Sequence, residues 1–100
     1  MLMAIAIEST FHGSSATLDK YDLSVQKLGG TPGGPYPNPA CLFHWAAPIP
    51  GGFKITYVFT TMQAWDDWVA AKLAAVRQEV GLPEPHHDFF DIHAFMTAGS

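Results

Sequence analysis

Hydrophobic positions recur along this chain with two periods. Between residues 60 and 81, TTMQAWDDWVAAKLAAVRQEVG places Trp65, Trp68, Val69, Leu73, Val76 and Val80 at helical spacing. Gln63, Asp66, Asp67, Lys72, Arg77 and Gln78 fall largely between them. Thr60 or Thr61 is placed to cap the start, Asp66 and Asp67 lie near the positive end of the dipole, and Gly81-Leu82-Pro83 is a stop. A second helix is predicted over residues 17–28, capped by Thr17, with Leu18, Tyr21, Val25 and Leu28 as its apolar stripe and Gly29-Gly30 at its end.

A period of two marks the strands. Residues 2–9 predict a short buried strand with Met3, Ile5 and Ile7 on one face, followed by a loop over residues 10–15 that breaks at Gly13. Residues 41–46, CLFHWA, carry large groups on both faces, and PIPGG reads as a turn. In residues 53–59, Phe53, Ile55, Tyr57 and Phe59 alternate with Lys54, Thr56 and Val58. A final strand is expected over residues 89–96, with Phe90, Ile92, Ala94 and Met96 opposite Phe89, Asp91, His93 and Phe95. The stretch GGTPGGPYPNP, residues 29–39, is too rich in Gly and Pro for a regular element. It is either a surface connection or a lid with Tyr36 at its tip.

The element order β-α-β-β-α-β over residues 1–100 predicts one α+β domain of ferredoxin-like arrangement. Right-handed crossovers place both helices on one face of an antiparallel sheet. The other face is then bare in a monomer. Because the second and fourth strands carry Phe43, Trp45, Phe89 and Phe95 or their neighbours on both faces, it cannot be fully solvated, so a homodimer through the sheets is the economical cover.

Composition narrows the partners. Apolar residues make up 48% of the chain and charged ones 14%, which argues against disorder. The net charge is −4 with no basic cluster, so nucleic acid is not an expected partner. Cys41 is the single cysteine, which excludes an internal disulfide and fits a reducing compartment. The opening MLMAIAIEST lacks a charged n-region, and no run reaches the ~20 apolar residues a bilayer span needs. A soluble, cytoplasmic protein is the expectation, with no membrane partner.

Five histidines stand out among so few charges. His12, His86 and His87 fall in predicted loops or connectors and are expected to be solvated. His44 and His93 lie in predicted strands beside Phe43, Trp45 and Phe95, where a histidine is either a satisfied core residue or a pocket acid/base. Asp91 and His93, two apart on a strand, would share a face, so the carboxylate could orient the imidazole; two solvated side chains at an edge are the alternative. A metal held by His87, Asp91 and His93 is not expected, because an extended chain separates the first two by ~13 Å and ligand bonds are about 2.1 Å. Trp65 and Trp68 read as core anchors that also reach a ligand if a pocket lies beneath the long helix. Glu8 ends the first strand, either solvated or beside a pocket.

The succession of Met3-AIAIES, TLDKYDLSVQKLGG, CLFHWAAPIPGGFKITYVF, AWDDWVAAKL and FFDIHAF resembles the dimeric α+β barrel superfamily, in the style of small proteins related to antibiotic-biosynthesis monooxygenases. The likeness covers almost the whole chain and lies in element order and texture. It implies a homodimer with a pocket in each subunit between helices and sheet. Members include cofactor-free oxygenases, haem degraders, cyclases, isomerases and proteins with no known activity. The Trp–Asn pair typical of the quinone-forming oxygenases and the helix-borne His of the haem degraders have no match here: Asn38 is the only Asn, and residues 61–80 contain no His.

These features together predict an enzyme working without metal or other cofactor on a hydrophobic, cyclic or polyketide-like molecule, by oxygenation, cyclisation or isomerisation. His44 or His93 would be the acid/base, Asp91 or Glu8 would orient or share the proton, and Tyr57 would supply a hydroxyl. Trp45, Phe59, Trp65, Trp68 and Tyr36 would shape the cavity. The alternatives are a non-catalytic ligand-binding or sensing dimer and a structural dimerisation domain.

Overall fold

Alternation builds the two central strands. The computed structural model describes residues 4–31 and 33–95. In it β1 (Ile5–His12) and β3 (Gly52–Phe59) run antiparallel, in register from Ile5 opposite Phe59 to His12 opposite Gly52. Ile5, Ile7, Ser9 and Phe11 on one strand and Phe53, Ile55, Tyr57 and Phe59 on the other are all buried on the same face. The Phe11 and Phe53 rings stack there at 4.6 Å. The edges are β2 (Cys41–Ile49) beside β3 and β4 (His86–Asp91) beside β1, giving the sheet order β2-β3-β1-β4. Pro48, which cannot donate to a ladder, sits on the β2 edge strand, where its missing N–H is tolerated.

Both helical runs pack on the buried face. The first is α1 (Leu18–Leu28), capped by Thr17, whose Oγ1 accepts from the Lys20 amide. The second comprises α2 (Met62–Trp68), capped by Thr61, a π-helical turn (Val69–Leu73) and α3 (Ala74–Val80). The chain is thus the ferredoxin-like α+β fold that the element order predicts. No helix among the described residues is long and apolar enough to cross a membrane.

Several boundaries differ from the sequence reading, each for a physical reason. β1 runs on to His12 because Ser9 and Phe11 continue the buried alternation against β3; Leu2 and Met3 lie outside the described residues. β2 extends through Ile49, leaving only Pro50 and Gly51 to turn the chain into β3. β4 occupies His86–Asp91 rather than residues 89–96, since its ladder pairs with β1 between Ile5 and Thr10. His93 therefore falls in a bend beyond the strand, and Met96 lies outside the described residues.

The largest shift concerns the second helical run. Its buried residues are Trp65, Trp68, Leu73, Arg77 and Val80, whereas Val69 and Val76 are only half-buried. The step of five from Trp68 to Leu73 is the π turn, where the Ala74 amide donates to the Val69 carbonyl. One extra residue in that turn advances the buried stripe, so Arg77 faces the core in place of an apolar neighbour. A cation–π contact to Phe11 at 5.1 Å contributes about 1–2 kcal/mol, and one hydrogen bond about 1 kcal/mol. Removing a cation from water costs several kcal/mol. Those two contacts offset part of that cost, and the guanidinium nitrogens without a partner keep access to solvent.

Among the described residues no helix covers the opposite sheet face. It presents Phe43, Trp45 and Phe90, which are 46%, 54% and 51% exposed, with Phe43 beside Val58 and Phe90 beside Ala6.

The β2–β3 turn provides a stability test. Gly51 adopts φ 78°, in the left-handed region, where an added methyl would meet no atom closer than 3.9 Å, while a Cβ at Gly52 would overlap the Phe11 carbonyl. Gly51→Ala is expected to cost about 1 kcal/mol, and Gly52→Ala about 3 kcal/mol or more because backbone, not a flexible side chain, must yield. Urea unfolding of both variants measures the contrast.

Candidate functional site

A cavity of about 630 Å³ opens between α1, the Gly/Pro loop and the free edge of β2. His44, Tyr21, Tyr36, Cys41, Phe43 and Trp45 line it with backbone of the loop. It does not lie beneath the long helix. Phe59 and Trp65, expected to shape it, instead pack edge to face at 5.4 Å inside the core, at 0% and 2% exposure.

The loop owes its order to local bonds and one buried ring. Asn38 Oδ1 accepts from the Ala40 amide, the Asn38 carbonyl accepts from the Cys41 amide, and the Gly30 amide donates to the Val25 carbonyl. Tyr36 turns inward: its ring lies 4.6 Å from His44 and 6.0 Å, edge-on, from both Tyr57 and Trp68. The Trp68 indole N–H donates to Tyr36 Oη at 3.0 Å, so Trp68 acts on the cavity by holding Tyr36. The only Asn is thereby used as a turn-former.

His44 stands at the centre of this aromatic group. It projects from β2 on the helix side, opposite Tyr57, and a hydrogen bond of 3.2 Å joins its Nε2 to Tyr21 Oη. Its Nδ1 has no hydrogen-bond partner among the described residues. Burial lowers the His44 pKa to about 4, so the imidazole is neutral at pH 7. Burial, reinforced by Tyr57 and Asp22, raises Tyr21 to about 12, and burial also raises Tyr36. Cys41, pushed up to about 12 by burial, is an unreactive thiol. The cavity wall thus combines neutral donors and acceptors and aromatic surface with one acidic side chain, Asp22, and suits a flat, largely apolar molecule.

The other sequence candidates lie elsewhere. Glu8 sits on the bare sheet face and pairs with Lys54 at 3.4 Å, so the sheet separates it from His44. Tyr57 is 1% exposed and its Oη accepts from Arg77 Nη2, so its hydroxyl is committed inside the core. Asp91 ends β4 exposed, and His93 follows in the bend, also exposed; the shared strand face expected for the pair does not form. Neither lines the cavity.

Two features escaped the sequence reading. Tyr21 was hidden in the α1 stripe, where its polar tip was the available signal. His87, expected to be solvated, is half-buried: Ser9 Oγ hydrogen-bonds its Nδ1 at 2.8 Å, and its ring meets Trp65 edge-on at 5.6 Å. Ser9 is fully buried, which denies it the access a nucleophile needs.

No protein-family model and no curated protein matches this chain. Solved structures do. A candidate antibiotic biosynthesis monooxygenase from Chloroflexus aurantiacus superposes with TM-score 0.67 at 11% identity, covering 96% of this chain and 99% of its own. One from Caulobacter crescentus gives TM-score 0.67 at 14% identity, covering 93% and 92%. SnoaB from Streptomyces nogalater, described as a cofactor-independent oxygenase and solved as a point mutant, gives 0.60 at 13%, covering 96% and 97%. The chain shares the fold of these proteins across nearly its whole length, as the sequence resemblance implied.

The histidines make a pH prediction. Burial depresses both His44 and His87 below the ordinary value of 6.5. The unfolded chain therefore binds more protons than the folded one between pH 6.5 and about 4, and stability falls as pH falls through that window. Urea midpoints measured across it should decline less steeply in His44→Gln than in the parent. The His44 ring resonance should titrate near 4.

Proposed function

We propose that this chain is a cofactor-independent oxygenase-type enzyme for a hydrophobic, cyclic or polyketide-like molecule bound in the β2 cavity. The observation that carries this reading is His44: a neutral imidazole with Nδ1 unpartnered among the described residues, packed at a tilt against Tyr36 and both stacked on and hydrogen-bonded to Tyr21 at the wall of a cavity of about 630 Å³. With Nε2–H donating to Tyr21 Oη, Nδ1 is the acceptor for a proton from an activated ring CH₂. The carbanion then passes electrons to O₂ and forms a hydroperoxide. Loss of water converts CH₂ to C=O, so one oxygen atom enters the product and the other leaves in H₂O. Tyr36 would flank the substrate, and Trp45 would border the mouth of the cavity. The fold shared with SnoaB supports oxygenation over the cyclisation and isomerisation that the residues alone leave open.

A second reading, ligand holding without turnover, is favoured by the same burial that makes His44 a weak base. Oxygen uptake and ligand binding with a panel of anthrones and polycyclic phenols separate the two. His44→Gln should lower kcat about 100-fold or more while binding persists. Unchanged turnover in that variant removes His44 from the chemistry, and binding with no turnover in the parent favours the holder.

We further propose a homodimer through the bare sheet face, supported by the exposed Phe43, Trp45 and Phe90 on either side of Val58 and Ala6. Sedimentation velocity should report a dimer for the parent and a monomer for Phe90→Glu. A parent that sediments as a monomer defeats the assignment.

A further inference from the structure

Arg77 is 7% exposed, and among the described residues its charge has no partner. Its one hydrogen bond goes from Nη2 to the phenol of Tyr57, which burial keeps protonated. A guanidinium carries five N–H donors, and buried charges are almost always paired. None of its nitrogens is sealed from solvent without a partner. Arg77 lines a second cavity, about 180 Å³, between the π turn and α3 on one side and the connector into β4 on the other. Gln78, His87 and Glu84 also line it. Ser9 Oγ and His87 Nδ1 share a hydrogen bond of 2.8 Å; in the tautomer where Ser9 donates, His87 Nε2 carries the proton and is a second donor type among the lining residues.

We propose that this second cavity is a binding site for a small oxyanion, a carboxylate of a few heavy atoms, with Arg77 as its charge partner and Gln78 and His87 as neutral donors. A planar guanidinium matches a carboxylate in a bidentate fork. The volume is roughly that of six waters in the liquid at ~30 Å³ each, which admits acetate or phosphate and excludes a polycycle. The exposed Glu84 at the rim is the competing carboxylate: it repels an incoming anion and can itself swing toward Arg77. This site is separate from the β2 cavity, and the inference stands whether or not that cavity is catalytic.

The test is an NMR titration of the ¹⁵N-labelled full chain with sodium acetate, then with sodium phosphate, at fixed ionic strength. The Arg77 Nε–Hε peak and the Gln78 and His87 amides should shift saturably, with Kd in the millimolar range. Glu84→Gln should tighten binding about threefold to tenfold by removing like charge. Arg77→Lys should weaken it about tenfold by losing the fork. Since Arg77→Lys alters a core position and can fail to fold, Glu84→Gln decides alone. If neither anion saturates in that variant below ~0.1 M, or if saturable shifts persist unchanged in folded Arg77→Lys, the site does not exist. Saturation by phosphate but not acetate overturns the carboxylate assignment.

Discussion

Between Val69 and Leu73 the second helical run carries more residues per turn than α-geometry holds, and the consequences spread through the whole helix–sheet layer. A regular helix that buried Trp65 and Trp68 would next bury positions near 72 and 76. The π turn moves that stripe to Leu73 and Arg77. Leu73 fills the core as an apolar residue should. Arg77 meets the Tyr57 hydroxyl and the Phe11 face instead of solvent. Upstream of the bulge the phase stays fixed by Trp68, whose indole N–H holds Tyr36 and through it one wall of the His44 cavity. The same helix therefore bears on two cavities, one on either side of its own irregularity. π turns often mark such places.

The order of elements was legible because two strands alternate cleanly and two helices have caps and stops. Ile5, Ile7, Phe53, Ile55 and Phe59 needed no tertiary information to be assigned inward. β4 was not legible in the same way. HHDFFDIHAFM alternates along most of its length, and only the partner available on β1 decides which part is a strand. The π turn was invisible because Val69 and Val76 suit a regular stripe as well as Leu73 does, and nothing in VAAKL announces an i→i+5 bond.

The site was partly legible for a related reason. His44, Tyr36 and Trp45 are conspicuous by type, a titratable ring and two aromatics in segments that cannot be wholly solvated. Their partner Tyr21 reads as one more apolar position until α1 is docked over β2. The large aromatics of the long helix drew attention toward a pocket there, yet Trp65 and Phe59 exclude solvent so fully that they leave no space. Big aromatic rings in a 100-residue chain fill the core first. The opening is left where small residues dominate, in the Gly/Pro loop.

The bare sheet face and the His44 cavity share residues. On β2, Phe43 and Trp45 alternate with His44, so they project to the bare face while their edges border the cavity mouth. A partner seated on that face would cover both rings and narrow the approach to His44 from the β2 edge. Excluding water there would weaken competition for the neutral imidazole and strengthen its bond to Tyr21. Dimerisation and catalysis, as proposed, are thus two uses of one strand, separated only by the side on which each residue points.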